Sequence, residues 1–208
     1  MKYNPDIHHR RSIRLKHYDY SQSGAYFVTI CAQNKTCLFG DVIDAQMILN
    51  GPGRMLQTEW DALPKRFSGI ELDAFAVMPN HIHGIIFIVG APLVGARFVV
   101  GAQPSDQNRA GTRPDQNRAG TRPEQNRAGT RPAPTNTTGN IVGAFKSIAT
   151  HEYVIGIRQQ QWLSFTGRLW QRNYYEHVIR SEHELNKIRE YIINNPLNWS
   201  EDENYISG

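Results

Sequence analysis

The sequence predicts an α+β fold in which an antiparallel sheet carries helices packed on one face. Three observations carry this: strand-like runs stand next to one another across short turns, helical runs occur without a repeated strand–helix–strand alternation, and the middle of the chain has no apolar face. At 208 residues there is enough chain for one good core. The middle therefore reads as an insertion into one domain. The expected boundaries are a basic N-terminal segment over 1–20, a first half-domain over 21–90, a flexible insert over 91–137 and a second half-domain over 138–208.

Along the chain, Ala25 to Cys31 is β-branched and aromatic and reads as a strand. Arg54 to Leu63 has helical spacing through Met55, Leu56, Trp60 and Leu63, with Pro64 expected to end it. Ile70 to Val77 and the run ending at Val89 read as a hairpin across the turn Met78-Pro79-Asn80. The insert holds three near-identical nonapeptides beginning at Gln107, Gln116 and Gln125, each with a Gly, a Pro and two Arg. Such a repeat buries too little apolar surface to offset its ordering entropy, so a mobile loop is expected. Beyond it, Ile141 to Ile157 has helical spacing and Leu169 to Ile179 is strand-like. Ser181 followed by Glu184 forms an S-x-x-E capping signal for a last helix, whose core stripe is Leu185, Ile188 and Ile192 and which Pro196 ends.

The formal charge is +4. It is unevenly spread: the N-terminal segment and residues 101–133 of the insert, with their six arginines, are basic, and the rest is slightly acidic. That distribution suits a polyanionic partner. Cys31 and Cys37 are too few for a disulfide framework, so a reducing compartment is expected. The N-terminus has no apolar signal region, and Pro92 and Arg97 interrupt the one long apolar run. A cytoplasmic protein with no membrane association is the resulting expectation.

The most informative motif is His81-Ile82-His83, which opens the second strand of the hairpin. Alternation along a strand puts both imidazoles on one face, where two neutral histidines chelate one divalent cation. A candidate third group is Asn195, four residues after Tyr191 and so on the same side of the last helix. Two imidazole nitrogens and an amide oxygen leave coordination positions open and suit Mg²⁺ or Mn²⁺. Such an ion orients a phosphate for in-line attack, and the Tyr191 hydroxyl is the candidate nucleophile. The plainer reading makes His81 and His83 half-exposed strand residues and Tyr191 a packed helix residue. His177 is a candidate proton carrier, or else a half-buried strand histidine.

Three blocks, Val77 to His83, Trp170 to Arg180 and Tyr191 to Pro196, stand in the order in which similar blocks occur in the single-tyrosine HUH transposases. The resemblance covers most of the chain outside the insert, and the REP-associated tyrosine transposases are the branch it resembles most. It implies a ferredoxin-like fold and metal-dependent cleavage and strand transfer of single-stranded DNA, through a 5′-phosphotyrosine, at hairpin sequences. By resemblance His81, His83 and Asn195 hold the metal and Tyr191 is the catalytic residue. Lys146, in the segment Gly143 to Ser147, is a phosphate contact, and the basic side chains Arg10, Arg11 and Arg14 are DNA-binding candidates. Relatives are often dimers, so a homodimer is a possible assembly. Two other functions compete: a catalytically inactive DNA-hairpin binding protein, and a hydrolase in which His81 and His83 hold a metal that activates water.

Overall fold

The structure, a computed structural model, describes residues 22–89 and 136–206. The N-terminal segment with Arg10, Arg11 and Arg14, and nearly all of the insert, lie outside the described residues. The elements in chain order are β1 (Gly24–Cys31), a 3-10 turn (Gln33–Lys35), β2 (Gly40–Ile43), β3 (Gln46–Leu49), α1 (Gly51–Asp61), α2 (Leu63–Arg66), β4 (Ile70–Val77), β5 (His81–Ile88), α3 (Thr138–Gln160), β6 (Tyr175–Ile179), α4 (Glu182–Asn194) and a 3-10 turn (Trp199–Glu201).

The main sheet runs β4-β5-β1-β6, antiparallel throughout. Counted in chain order its four strands lie 2-3-1-4, the ferredoxin-like arrangement, with α1 and α3 as the two helices between them. Strand alternation divides the residues cleanly. Tyr26, Val28, Ile30, Ile82 and Ile86 join Trp60 of α1 and Phe145 of α3 in the large core. Ala25, Phe27, Ile85 and Ile179 pack instead with Leu185 and Ile192 of α4 on the opposite face. The expected one-sided helix layer thus describes α1 and α3, while α4 covers part of the other face.

Two close fits hold these layers. A Cβ on Gly84 would stand 2.3 Å from Trp60, so the missing side chain lets the indole lie directly on β5. There it stacks on Phe75 at 4.6 Å and meets Phe145 edge-on at 5.4 Å. On the other face, a bulge in β4 between Leu72 and Phe75 shifts the register against β5. Within it, Asp73 accepts two hydrogen bonds from the Arg189 guanidinium of α4, 2.9 Å and 2.5 Å long.

Three boundaries differ from expectation. The first helix begins at Gly51, where the Asn50 side chain caps it by accepting from Gly53 N–H at 2.9 Å. It ends at Asp61, and Pro64 sits in the first turn of α2, where a missing N–H costs nothing. The strand expected over Leu169 to Ile179 is regular only from Tyr175; Trp170 makes an isolated bridge to Ala32, and the Lys146 ammonium takes the carbonyls of Gln171 and Asn173. Ser181 caps α4 by accepting from Glu184 N–H at 3.2 Å. Glu184 answers one residue earlier than a capping box requires, accepting from Arg180 N–H at 2.7 Å, and also meets His177 Nε2 at 2.7 Å. Among the described residues no helix is long and apolar enough to cross a membrane.

Candidate active site

His81 and His83 stand opposite Cys31 and Thr29 on β5, on the face that α4 partly covers. Their Nε2 atoms converge to 2.8 Å. The outer nitrogens are held separately. His83 Nδ1 meets Thr29 Oγ1 at 2.8 Å, and His81 Nδ1 meets Asn80 Oδ1 at 2.8 Å.

Asn80 determines which nitrogen of His81 carries the proton. Its amide nitrogen donates to the carbonyls of Lys35 and Asn204, at 2.9 Å and 2.8 Å, so Oδ1 must be the atom facing His81. An acceptor there requires an Nδ1–H on His81 and leaves its Nε2 lone pair bare toward His83. Burial drives the ordinary histidine pKa down, to about 4 for His81 and about 3 for His83, the latter also because of its neighbour. Both rings are therefore neutral near pH 7. In this arrangement His83 Nε2–H donates to His81 and Thr29 donates to His83 Nδ1. A cation between the rings needs only that the His83 proton move to Nδ1, where the Thr29 oxygen accepts it.

Tyr191 and Asn195 come from α4 and its C-cap. Asn195 keeps a helical backbone (φ −58°, ψ −40°) despite the following proline, and is buried. The Tyr191 hydroxyl lies 3.4 Å from His83 Nε2 of the same chain. Phe27 supports both, stacking on His83 at 5.5 Å and meeting Tyr191 edge-on at 6.1 Å.

Sequence reasoning missed a further member, Asp202. The chain folds back after Pro196, and the Asp202 carboxylate comes within 4.0 Å of His81 Nε2 and 3.4 Å of the Tyr191 hydroxyl. Its side chain is only 3% exposed. It accepts from Asn195 Nδ2 at 2.9 Å and Asn204 N–H at 2.6 Å. Burial raises its pKa, but these two hydrogen bonds together with the neighbouring His81 and His83 outweigh that and hold the carboxyl below its usual range. The acidic run Glu201-Asp202-Glu203 was the available signal, yet nothing local says which carboxylate turns inward. Tail contacts decide it: Asn204 O on Asn80 and Glu203 O on the Lys35 ammonium at 2.6 Å.

His81, His83 and Asp202 place their ligand atoms within 4.8 Å of one another, a cluster that can hold a metal ion. Two independent features fit a divalent cation. The donors are two neutral imidazoles and an ionised carboxylate, and the buried Asn195 Oδ1 has no hydrogen-bond partner among the described residues. Tyr191 is poorly acidic in these surroundings: burial first, then the Asp202 charge, push its pKa up to about 12.

The other expected site residues stand apart. The Lys146 ammonium donates to Gln171 O at 2.9 Å and Asn173 O at 3.1 Å and lies 5.4 Å from the centre of the Tyr174 ring. Burial lowers its pKa to about 8. His177 pairs with Glu184 rather than with the histidine cluster.

Fold and site together define an α+β protein with a candidate two-histidine, one-carboxylate metal centre beside a tyrosine hydroxyl. No protein-family profile matches the chain. It belongs to one family with an uncharacterized protein of Haemophilus influenzae, 41% identical over 208 residues that cover 99% of this chain and 98% of that protein. Two solved structures are similar in fold. One is a REP-associated tyrosine transposase bound to a REP hairpin, with TM-score 0.49 and 16% identity over 89% of this chain and 74% of that one. The other is a candidate transposase from Deinococcus radiodurans R1, with TM-score 0.37 and 17% identity over 87% of this chain and 95% of that one.

Proposed function

We propose that this protein cleaves and rejoins single-stranded DNA at hairpin-bearing sequences, with Tyr191 as nucleophile. The observation that carries the reading is the meeting of the Tyr191 hydroxyl with the converging Nε2 atoms of His81 and His83 within one chain. A packing tyrosine has no need of such neighbours. The resemblance of the three motif blocks to single-tyrosine HUH transposases supports the same chemistry.

His81, His83 and Asp202 would hold the metal, with the Asn195 carbonyl as a further donor. Mg²⁺ or Mn²⁺ fits such a mixed nitrogen and oxygen set. The ion supplies the positive charge that polarises a phosphate and favours the phenolate. Without that charge, a phenol of pKa about 12 is ionised to roughly one part in a hundred thousand near pH 7. Tyr191 Oη forms a bond to phosphorus, and the bond from phosphorus to the 3′-oxygen of the preceding nucleotide breaks. The phenolic proton passes to solvent, and the departing 3′-oxygen takes up a proton. The resulting 5′-phosphotyrosine keeps the energy of the broken diester, so another 3′-hydroxyl reverses the step without ATP. Thr29 and Asn80 orient the histidines, and Arg10, Arg11, Arg14 and Lys146 remain the proposed phosphate contacts.

The test is a covalent adduct. Wild-type protein incubated with hairpin-bearing oligonucleotides and Mg²⁺ or Mn²⁺ is expected to give a band that survives denaturant and is absent for Tyr191→Phe. Folded, DNA-binding wild-type protein that leaves every such oligonucleotide unlinked would sink the reading.

A further inference from the structure

Beside the cluster lies a cleft of about 520 Å³, a volume usual for ligand sites. It exists because α4 stops short of covering the sheet. Thr29 and Cys31 of β1, with Tyr175 of β6, form a floor that no helix among the described residues covers. Tyr191 and the returning tail stand on one side, and the segment from Gln171 to Tyr174 on the other. His83 and Tyr191 line the cleft themselves, so it is continuous with the candidate active site.

The lining chemistry selects among ligands. Among the described residues, Glu203 is its one carboxylate, and no lysine or arginine side chain contributes. The nearby Lys146 ammonium is engaged by the carbonyls of Gln171 and Asn173. Within the described lining itself, a phosphate would meet a carboxylate and no lysine or arginine side chain. A flat, neutral heterocycle meets the opposite: aromatic rings and side-chain amides that both donate and accept. Tyr175 is 44% exposed although it meets Phe27 edge-on at 6.0 Å, which leaves ring surface open for stacking. Gln171 and Asn173 line the same space.

We propose that this cleft is a nucleobase subsite. It takes one unpaired base of the nucleotide adjoining the phosphate presented to Tyr191, stacked on Tyr175 and read at its edge by the amides of Asn173 and Gln171. The subsite rests on the single-stranded DNA reading above and adds a base-selecting wall to it. Stacking on an aromatic ring tolerates any base, whereas the paired donor and acceptor of an amide do not.

The test has two arms that separate this subsite from the cleavage chemistry. Full-length Tyr191→Phe protein is irradiated with random single-stranded oligonucleotides carrying 5-iododeoxyuridine in place of thymidine, and the crosslinked peptides are identified by mass spectrometry. Crosslinks are expected in the peptide spanning Gln171 to Tyr175, with yield lowered about tenfold by Tyr175→Ala and retained by Tyr175→Phe. In the second arm, wild-type and Asn173→Ala proteins react with a hairpin-flanked random pool and Mn²⁺, and the linked ends are sequenced. The variant is expected to lose about tenfold of the base preference at one position beside the linked phosphate. Crosslinks at 171–175 without any adduct would uphold the subsite and overturn the cleavage reading. Adducts with no crosslink there and an unchanged base profile would overturn the subsite alone, and neither signal would overturn both.

Discussion

The two faces of one sheet, built from alternate residues of the same strands, do different work. On the α1 and α3 side, Tyr26, Val28, Ile30, Ile82 and Ile86 close against Trp60, Phe145 and Tyr153 in a continuous apolar core. On the α4 side the apolar patch is small, ending at Phe27 and Ile85, and two residues further along each strand stand Thr29 and His83. Beyond that patch the second face carries polar groups held by specific hydrogen bonds as well as by packing. The lesson is that a four-stranded sheet with one complete core can leave the other face free for chemistry. Substitutions on the two faces should then fail in different ways, one losing the fold and the other losing the site.

The largest separation is expected from Trp60→Ala, which removes the indole lying on Gly84. It should lower unfolding free energy by about 3–5 kcal/mol in urea titrations. A loss below about 1 kcal/mol would mean the large core does not carry the fold as described. Acid provides the next contrast, because the two histidine pKa values are depressed in the folded protein, to about 4 and about 3. The unfolded chain protonates these rings near pH 6.5 while the folded one does not. Their contribution is thus fully present above that pH and is lost as pH falls toward 4 and then 3. Between pH 6.5 and 5.5 the metal-free protein should lose about 1 kcal/mol per histidine. A His81→Gln, His83→Gln double variant should show a flatter profile, and equal slopes would show the rings to be ordinary exposed histidines.

Asn80→Ala is expected to have a smaller effect, and on a different quantity. Freed from its acceptor, His81 no longer favours the Nδ1–H tautomer, and Mn²⁺ affinity measured by calorimetry should fall about 10- to 100-fold. Asn80→Asp keeps an acceptor toward His81 and should retain more of that affinity than the alanine variant. The smallest effect belongs to Asp73→Ala. It breaks the partly exposed pair with Arg189 at the β4 bulge and should cost about 0.5–1 kcal/mol, less at high salt. A larger, salt-insensitive loss would assign the bulge itself, rather than the ion pair, to the seating of α4.

Much of the arrangement is written in local pattern. The hairpin around Met78-Pro79-Asn80, the apolar stripe of α4 and its Ser181 cap all depend on periodicity and on side chains a few residues apart, so they are legible in one dimension. The placement of His81 and His83 on one face follows from the same two-residue period. The β2–β3 ribbon was not legible, because its turn at Asp44 and Ala45 has positive φ without the usual Gly or Asn signal. Pro64 misled for the opposite reason, since a proline that ends one helix equally well opens another.

Composition, alternation and spacing were enough to set the sheet class, the shared face of the imidazoles and the helix that carries Tyr191. Only the folded chain decided that α4 lies across the face opposite α1 and α3, and that the tail returns to bring Asp202 between Tyr191 and His81. The physical reason is range. Periodic patterns act over a few residues, whereas the partners of Asp202 and Asn80 lie as far as 124 residues away in sequence, as in the bond from Asn80 to Asn204, and are set by long-range packing.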